Sequence, residues 1–247
     1  MEAHHPHHPT HKKKWTEYLL EFFMLFLAVF LGFIGENWRE HSAEQHREKQ
    51  YMQSLTEDVL HDIQTLDTGI EKTLLQIHGK DSLVQLIGGG LQTPQQVNLL
   101  YQMHWKYVGY VTEIPFSKRT MNQLLNAGGL RLVSNKKVSD AIAFYAAKVD
   151  YHEKARQPQY IDGSYKALWS SGKLIDTRYL RALPDKRFIR APYENPVLRN
   201  TNMDQLKDFS FTLEMDKENC ILFVQYLEEL KRLAVELLNL LEKEYHL

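Results

Sequence analysis

Residues 22–34, FFMLFLAVFLGFI, carry no charged side chain, and this stretch decides the class of protein. Widening the window to residues 18–35 adds a single charge, Glu21. At about 1.5 Å per residue, a helix over that window covers roughly 27 Å, close to the thickness of a bilayer's hydrocarbon core. Because the apolar residues are consecutive, they point to every side of the helix. The stretch therefore predicts one membrane-spanning helix.

Aromatic residues mark both ends of this span, which we place at residues 15–38. Amphipathic rings favour the headgroup layer of a bilayer. The side chains predicted to form the anchor are Trp15, Phe22, Phe26, Phe30 and Trp38. A buried core helix is usually shorter and lacks paired tryptophans, whereas an interfacial helix needs a polar face. No small-residue cleavage site follows the apolar run, so the pattern favours an uncleaved signal anchor.

Glu21 is the one acidic residue within the predicted span. Near the end of a helix its carboxylate can reach the headgroups by snorkelling. The alternative is an acid within the membrane that binds a partner.

Basic residues flank the span on both sides. The triplet at residues 12–14 precedes it, and Arg39, Arg47 and Lys49 follow it, so the positive-inside rule decides little. The N-terminal triplet is compact and lies on a short tail. We therefore expect a cytoplasmic N-terminus and a domain on the opposite side.

The first fourteen residues are rich in histidine and lysine. Imidazole rings bind transition metals, and the tail carries several of them, at His4, His5, His7, His8 and His11. Two prolines interrupt the run. We predict a disordered tail for residues 1–14, with metal binding as the alternative.

Composition limits the remaining possibilities. The formal net charge is −1, with 30 basic against 31 acidic side chains, and no region shows the basic excess that nucleic-acid binders carry. Cys220 is the only cysteine, so no intrachain disulfide can form. Glycine and proline number 12 and 8, which indicates a mostly helical chain.

Two long helices are predicted in the domain at residues 39–247. A juxtamembrane helix over 39–80 carries an apolar stripe at helical spacing, through Met52, Leu55, Val59, Ile63, Leu66, Ile70, Leu74 and Ile77. A C-terminal helix over 216–246 carries a second, through Leu222, Phe223, Tyr226, Leu230, Leu233, Leu237, Leu240 and Leu241. Each apolar stripe must be buried against another apolar surface, so we expect these two helices to pack against each other. Residues 158–215 are predicted to form short helices and loops.

The fold class that follows is all-α. One N-terminal transmembrane helix continues into a long helix of a helical-bundle domain.

Motifs with assignable chemistry are absent from the sequence. A di-iron bundle needs two Glu-x-x-His units, and the comparable spacing in the domain is Asp58 with His61. These two residues are candidate metal ligands, but a solvated acidic helix face explains them better. We predict no catalytic residue, no cofactor and no metal site.

Several segments together resemble an uncharacterised family of bacterial single-pass membrane proteins. They are HHPHHPTHKKKW with EFFMLFLAVFLGFIGENWREH, then REKQYMQSLTEDVLHDI, then TMNQLLNAGGLRLVSNKKVSDAIAFY, and finally the leucine-rich helix ending in EYHL. The resemblance implies a protein of the inner membrane of Gram-negative bacteria with a helical domain. In such a membrane, the orientation expected from the basic triplet places that domain in the periplasm. The resemblance implies no activity and no functional residues.

The expected function is a non-enzymatic, membrane-anchored interaction or scaffold protein. Its expected partners are the lipid bilayer, other membrane proteins and copies of itself. Ala28 and Gly32 lie four residues apart, a spacing of small residues that lets two spans approach closely as a homo-oligomer. One alternative is a sensor-like domain that binds a small ligand outside the cytoplasm. A third possibility is a metal-dependent enzyme using the region of Asp58 and His61.

Overall fold

The computed structural model describes residues 14–126, 128–183, 186–192 and 195–247, with side chains described outside 181–194. Apart from Lys14, the predicted tail at residues 1–14 lies outside this part of the chain. The chain divides into two compact units, Met1–Gln50 and Tyr51–Leu247.

Six α-helices make up most of the described chain, which confirms the all-α prediction. They are α1 (Trp15–Gly88), α2 (Pro94–Tyr107), α3 (Arg119–Asn126), α4 (Lys136–Tyr151), α5 (Gln157–Ser171) and α6 (Met203–Tyr245). A π-helical turn, His152–Arg156, joins α4 to α5, and short 3₁₀ turns lie at Gly129–Leu132 and Thr177–Tyr179. Two short strands, β1 (Leu180–Leu183) and β2 (Lys186–Pro192), pair as an antiparallel hairpin.

The predicted boundaries differ from the observed ones in three places. Helix α1 ends at Gly88 and not near residue 80. Helix α6 begins at Met203 and not near Asp216, because the Asn202 side chain caps its first turn by accepting from the Asp204 amide at 2.8 Å. The region predicted as short helices and loops holds α5 and the hairpin, and no strand was predicted there.

The first unit contributes an exposed apolar helix. An 18-residue window in α1 has a mean hydropathy of 2.2, and none of that window is buried. Among the described residues this is the one helix that is long and apolar enough to cross a membrane. The predicted anchor residues are exposed, from 79% for Trp15 to 48% for Phe30.

Within the second unit, α1 buries one face with a regular heptad spacing. Alternate steps of three and four residues give a period of about 3.5, which is typical of helices that pack side by side. The buried positions of this repeat are Met52, Leu55, Val59, Asp62, Leu66, Gly69, Thr73, Gln76, Lys80, Leu83 and Ile87, and Gly79 beside Lys80 is buried as well. The predicted stripe was wrong at Leu74, which is 40% exposed, whereas Ile77 is partly buried and packs against the core. Polar residues occupy the buried positions there instead.

Helix α6 follows the same spacing. Its buried face runs through Leu206, Phe209, Leu213, Asp216, Cys220, Phe223, Leu227, Leu230, Ala234, Leu237 and Leu241. Lys80 of α1 pairs with Asp216, whereas Asp67, earlier in α1, pairs with Lys231, later in α6. The two helices therefore pack together, as predicted, and they run antiparallel, although Leu222 of the predicted α6 stripe is 57% exposed.

Helices α4 and α5 complete the bundle around α6. The rings of Tyr160 and Phe223 stack with centroids 4.0 Å apart, and Ser164 donates to Asp216 at 2.9 Å. A glycine at position 163 permits this approach, because a Cβ there would meet the Asn219 side chain.

Candidate functional site

A cavity of about 470 Å³ lies between α3 and α4 in the second unit. Small ligands bind in cavities of about 300–1,000 Å³ that combine apolar walls with a few polar groups. The lining here has that mixture: Asp62, Ser117, Lys118, Met121, Asn122, Leu125, Asn126, Ala143, Ala146, Ala147, Val149, Asp150 and Glu153. We take it as the candidate functional site.

Asp62 of α1 is the most deeply buried polar group in this lining, with 1% of its surface exposed. One carboxylate oxygen accepts from the backbone amide of Ser117 at 2.7 Å, and the other accepts from the Tyr145 hydroxyl at 3.0 Å. Burial raises the pKa of the Asp62 carboxyl to about 6, although both hydrogen bonds oppose the rise. Asp62 therefore changes charge close to neutral pH.

The two candidate metal ligands lie one turn before Asp62 and beside it, but both are engaged with the start of α3. Asp58 accepts from the Thr120 amide at 3.2 Å, and the Nδ1 atom of His61 lies 3.1 Å from the Ser117 hydroxyl. No group of three His, Cys, Asp or Glu side chains among the described residues is placed to hold a metal ion. The arrangement stabilises the first turn of α3, whose amides need acceptors.

The segment between α2 and α3 is held in place by side chains of other helices. Tyr160 accepts from the Thr112 amide at 3.2 Å, and Gln157 accepts from the Ile114 amide at 2.8 Å. Together with the bond from Ser117 to Asp62, these contacts fix the chain leading to the cavity wall. The cavity is therefore bounded by an ordered segment, although that segment has no regular secondary structure.

Charged side chains at the mouth of the cavity pair with one another. Lys118 lies 2.7 Å from Glu153, and Asp150 lies 2.7 Å from Lys154. All four are at least partly exposed, so each pair contributes little stability.

A second polar cluster lies in the bundle core and is fully enclosed. The Lys80 ammonium group lies 2.8 Å from Asp216 and donates to the Cys220 sulfur at 2.9 Å. Neither Lys80 nor Asp216 has any exposed side-chain surface. Burial raises the pKa of the Cys220 thiol to about 11, so it stays protonated. The cluster therefore joins α1 to α6 inside the core.

The sequence did not single out these buried polar residues. Around the start of α3, the amides of Ser117 and Thr120 donate to Asp62 and Asp58 of α1 and not to side chains nearby in the sequence. The heptad spacing of α1 could have indicated that Asp62 and Lys80 are buried, because both occupy core positions of that repeat. The residues predicted for contact between spans, Ala28 and Gly32, lie in the exposed apolar part of α1, and a Cβ at Gly32 would meet nothing within 4 Å.

Asp62 makes stability depend on pH in a predictable direction. Its folded pKa is raised from 3.8 to about 6, so the folded state holds the proton more tightly than the unfolded state. The free energy of unfolding is therefore expected to fall as pH rises from about 4 to about 6. Denaturation of wild type and Asp62→Asn across this range measures the effect, because the variant should lose this part of the slope.

The control for that measurement is Asp140→Asn, which removes an exposed carboxylate from α4. It should keep the wild-type slope. Equal slopes for wild type and Asp62→Asn would show that Asp62 does not titrate in this way.

Comparison of the chain with known protein families, curated proteins and solved structures finds no match. The resemblance to a family of bacterial membrane proteins therefore stays a prediction.

Proposed function

We propose that this chain is a non-enzymatic, membrane-anchored interaction protein that associates with copies of itself through its span. The observation that carries the proposal is the apolar window of α1, which has a mean hydropathy of 2.2 and is covered by no other described part of the chain. An apolar surface of this length needs lipid or another apolar partner. The lipid tails of a bilayer and the span of a second copy can both contact this apolar surface.

Close packing of two spans is supported by the small residues of this helix. Ala28 and Gly32 fall on nearly the same face, and small side chains there let helix backbones approach. The non-enzymatic part is supported by Asp58 and His61, which are engaged in stabilising α3.

Self-association is tested by crosslinking in native membranes. Wild type should yield dimers or larger species, and Gly32→Leu should reduce them because its side chain separates the two helices. Phe30→Leu is the matched control, since position 30 lies about 200° around the helix from Ala28 and should leave crosslinking unchanged. Only monomer from wild type, both in membranes and in several mild detergents, would refute the proposal.

The orientation that we propose places the N-terminus in the cytoplasm and the helical domain in the periplasm of a Gram-negative bacterium. It is supported by the compact basic triplet at residues 12–14. A reporter that is active only in the cytoplasm, fused after Leu247, should be inactive. Activity of that fusion would reverse the orientation and leave the anchor unaffected.

A second candidate function is binding of a small ligand by the helical domain, as in a sensor. The cavity of about 470 Å³ between α3 and α4 favours it, because its lining joins a buried carboxylate to small apolar residues. Binding of a ligand here would be compatible with the anchored interaction protein.

A further inference from the structure

Within the described residues, the buried carboxylate of Asp62 has no cationic partner in an ion pair. Its hydrogen-bond donors are a backbone amide and a tyrosine hydroxyl, both neutral. The described ion pairs of nearby lysines involve other acids, such as Glu153 for Lys118. Buried charges in proteins are usually paired or bind a ligand. When Asp62 is ionised, its negative charge would therefore stabilise a cation bound beside it.

The electrostatic surroundings of Asp62 also favour a cation. The titratable and charged groups that face it or line the same cavity are Asp58 and His61 from α1, Lys118 before α3, Tyr145 and Asp150 from α4, and Glu153 from the π-turn. Three carboxylates line the cavity, and two of them are paired, Glu153 with Lys118 and Asp150 with Lys154, so the uncompensated negative charge among the described residues is that of Asp62. An anion would meet repulsion here, whereas a cation would be attracted.

Part of the cavity lining is apolar and includes small residues. Ala143, Ala146 and Ala147 of α4 contribute to it, together with Met121 and Val149. A body of a few carbon atoms can lie against this part of the lining while its charged end reaches Asp62.

The hydrogen bonds to Asp62 and the number of ligand groups around it favour an organic cation over a metal ion. Both oxygens of Asp62 already accept hydrogen bonds, and no third His, Cys, Asp or Glu ligand joins it in the described chain. Metal ions need several ligands at once, whereas an ammonium group can be held by one carboxylate in a charge-assisted hydrogen bond.

We infer that the cavity between α3 and α4 binds a primary ammonium ion carried on a short apolar body, with Asp62 as its counter-ion. This inference rests on the second candidate function and names its ligand class. The ammonium group can belong to a free amine or to an ethanolamine lipid headgroup, which share the primary ammonium group, although the headgroup also carries a phosphate.

The test uses the full-length protein in nanodiscs of phosphatidylglycerol and phosphatidylcholine, which contain no primary amine. Saturation-transfer NMR then compares n-butylammonium with its neutral and anionic counterparts, n-butanol and butyrate. Butylammonium should bind at least about tenfold more tightly than either, because a charged hydrogen bond to a buried group discriminates by that order. Its affinity should increase as pH rises through about 6, where Asp62 ionises.

Two variants separate recognition from folding. Asp62→Asn should lower the affinity for butylammonium about tenfold or more, but it can also disturb the start of α3. Ala147→Leu leaves the carboxylate unchanged and fills the cavity from an exposed position, so it should lower the affinity at an unchanged melting temperature. Asp140→Asn, an exposed change on the same helix, should bind like wild type.

Addition of phosphatidylethanolamine identifies the source of the ammonium group. Competition with butylammonium would indicate the lipid headgroup, and no competition would indicate a free amine. Three results would each overturn the inference: butanol binding as well as butylammonium, unchanged affinity in Ala147→Leu, or no binding of butylammonium at millimolar concentration. Zinc or magnesium binding that depends on Asp62 would overturn it as well. None of these results bears on crosslinking through the span.

Discussion

Lys80→Met is expected to lower the free energy of unfolding by about 3–5 kcal/mol, the cost of leaving a buried charge without its partner. The variant leaves the Asp216 carboxylate in a site with no exposed surface, 2.8 Å from where the ammonium group had been. It also removes the donor to the Cys220 sulfur. Chemical denaturation of the full chain in a mild detergent, followed by circular dichroism, measures the loss.

The double variant Lys80→Met with Asp216→Leu is the informative comparison. Replacement of a whole buried ion pair by apolar residues is often neutral or stabilising. Most of the loss should therefore be recovered, except for the contribution of the Ser164 hydroxyl, which donates to Asp216. If the double variant is as unstable as the single one, the cost comes from packing and not from the unpaired charge.

Lys231→Met is the matched control at the same helix interface. Lys231 pairs with Asp67, but these side chains are 38% and 52% exposed. Water already solvates both groups, so a change of no more than about 1 kcal/mol is expected.

Leu27→Arg is expected to oppose membrane insertion by about 2.5–3.5 kcal/mol, the cost of a charge near the centre of a span on translocon scales. Wild type should stay in the membrane after alkaline carbonate washing, with an intact N-terminus. The variant should appear in part in the supernatant. Leu27→Met keeps the segment apolar and should behave like wild type.

Two results would refute the anchor. The first is release of wild type by carbonate, and the second is a mature N-terminus that follows Gly35. The helical domain, residues 51–247, has its own core, so its fold does not depend on this result.

The helix ends that follow from the sequence depend on residues close together in the chain. Thr93 and Gln96 form a capping box at the start of α2, because both residues belong to one turn. Asn135 caps α4 by accepting from the Lys137 amide at 3.0 Å. The start of α6 was missed because its first buried residues, Leu206 and Phe209, lie among polar residues.

The candidate site could not be derived in this way. Asp62 and Ser117 are 55 positions apart, and Lys80 and Cys220 are 140 apart. Asp62 and Lys80 look like surface residues on composition alone, because charged side chains are rarely buried. Lys80 is buried where α1 packs against α6, and Asp62 is buried where α1 meets Ser117 and Tyr145, so their burial depends on elements far apart in the chain.

The sequence by itself determined the apolar helix at residues 22–34, the all-α class and the ends of several helices, since hydropathy, periodicity and capping act within a few turns. Only the tertiary structure decided which polar residues are buried and where space remains between helices. The cavity beside Asp62 exists because the alanines of α4 face α3 without filling the gap. Such a gap depends on the packing of segments far apart in the chain, and that packing is set by the whole core and not by any one segment.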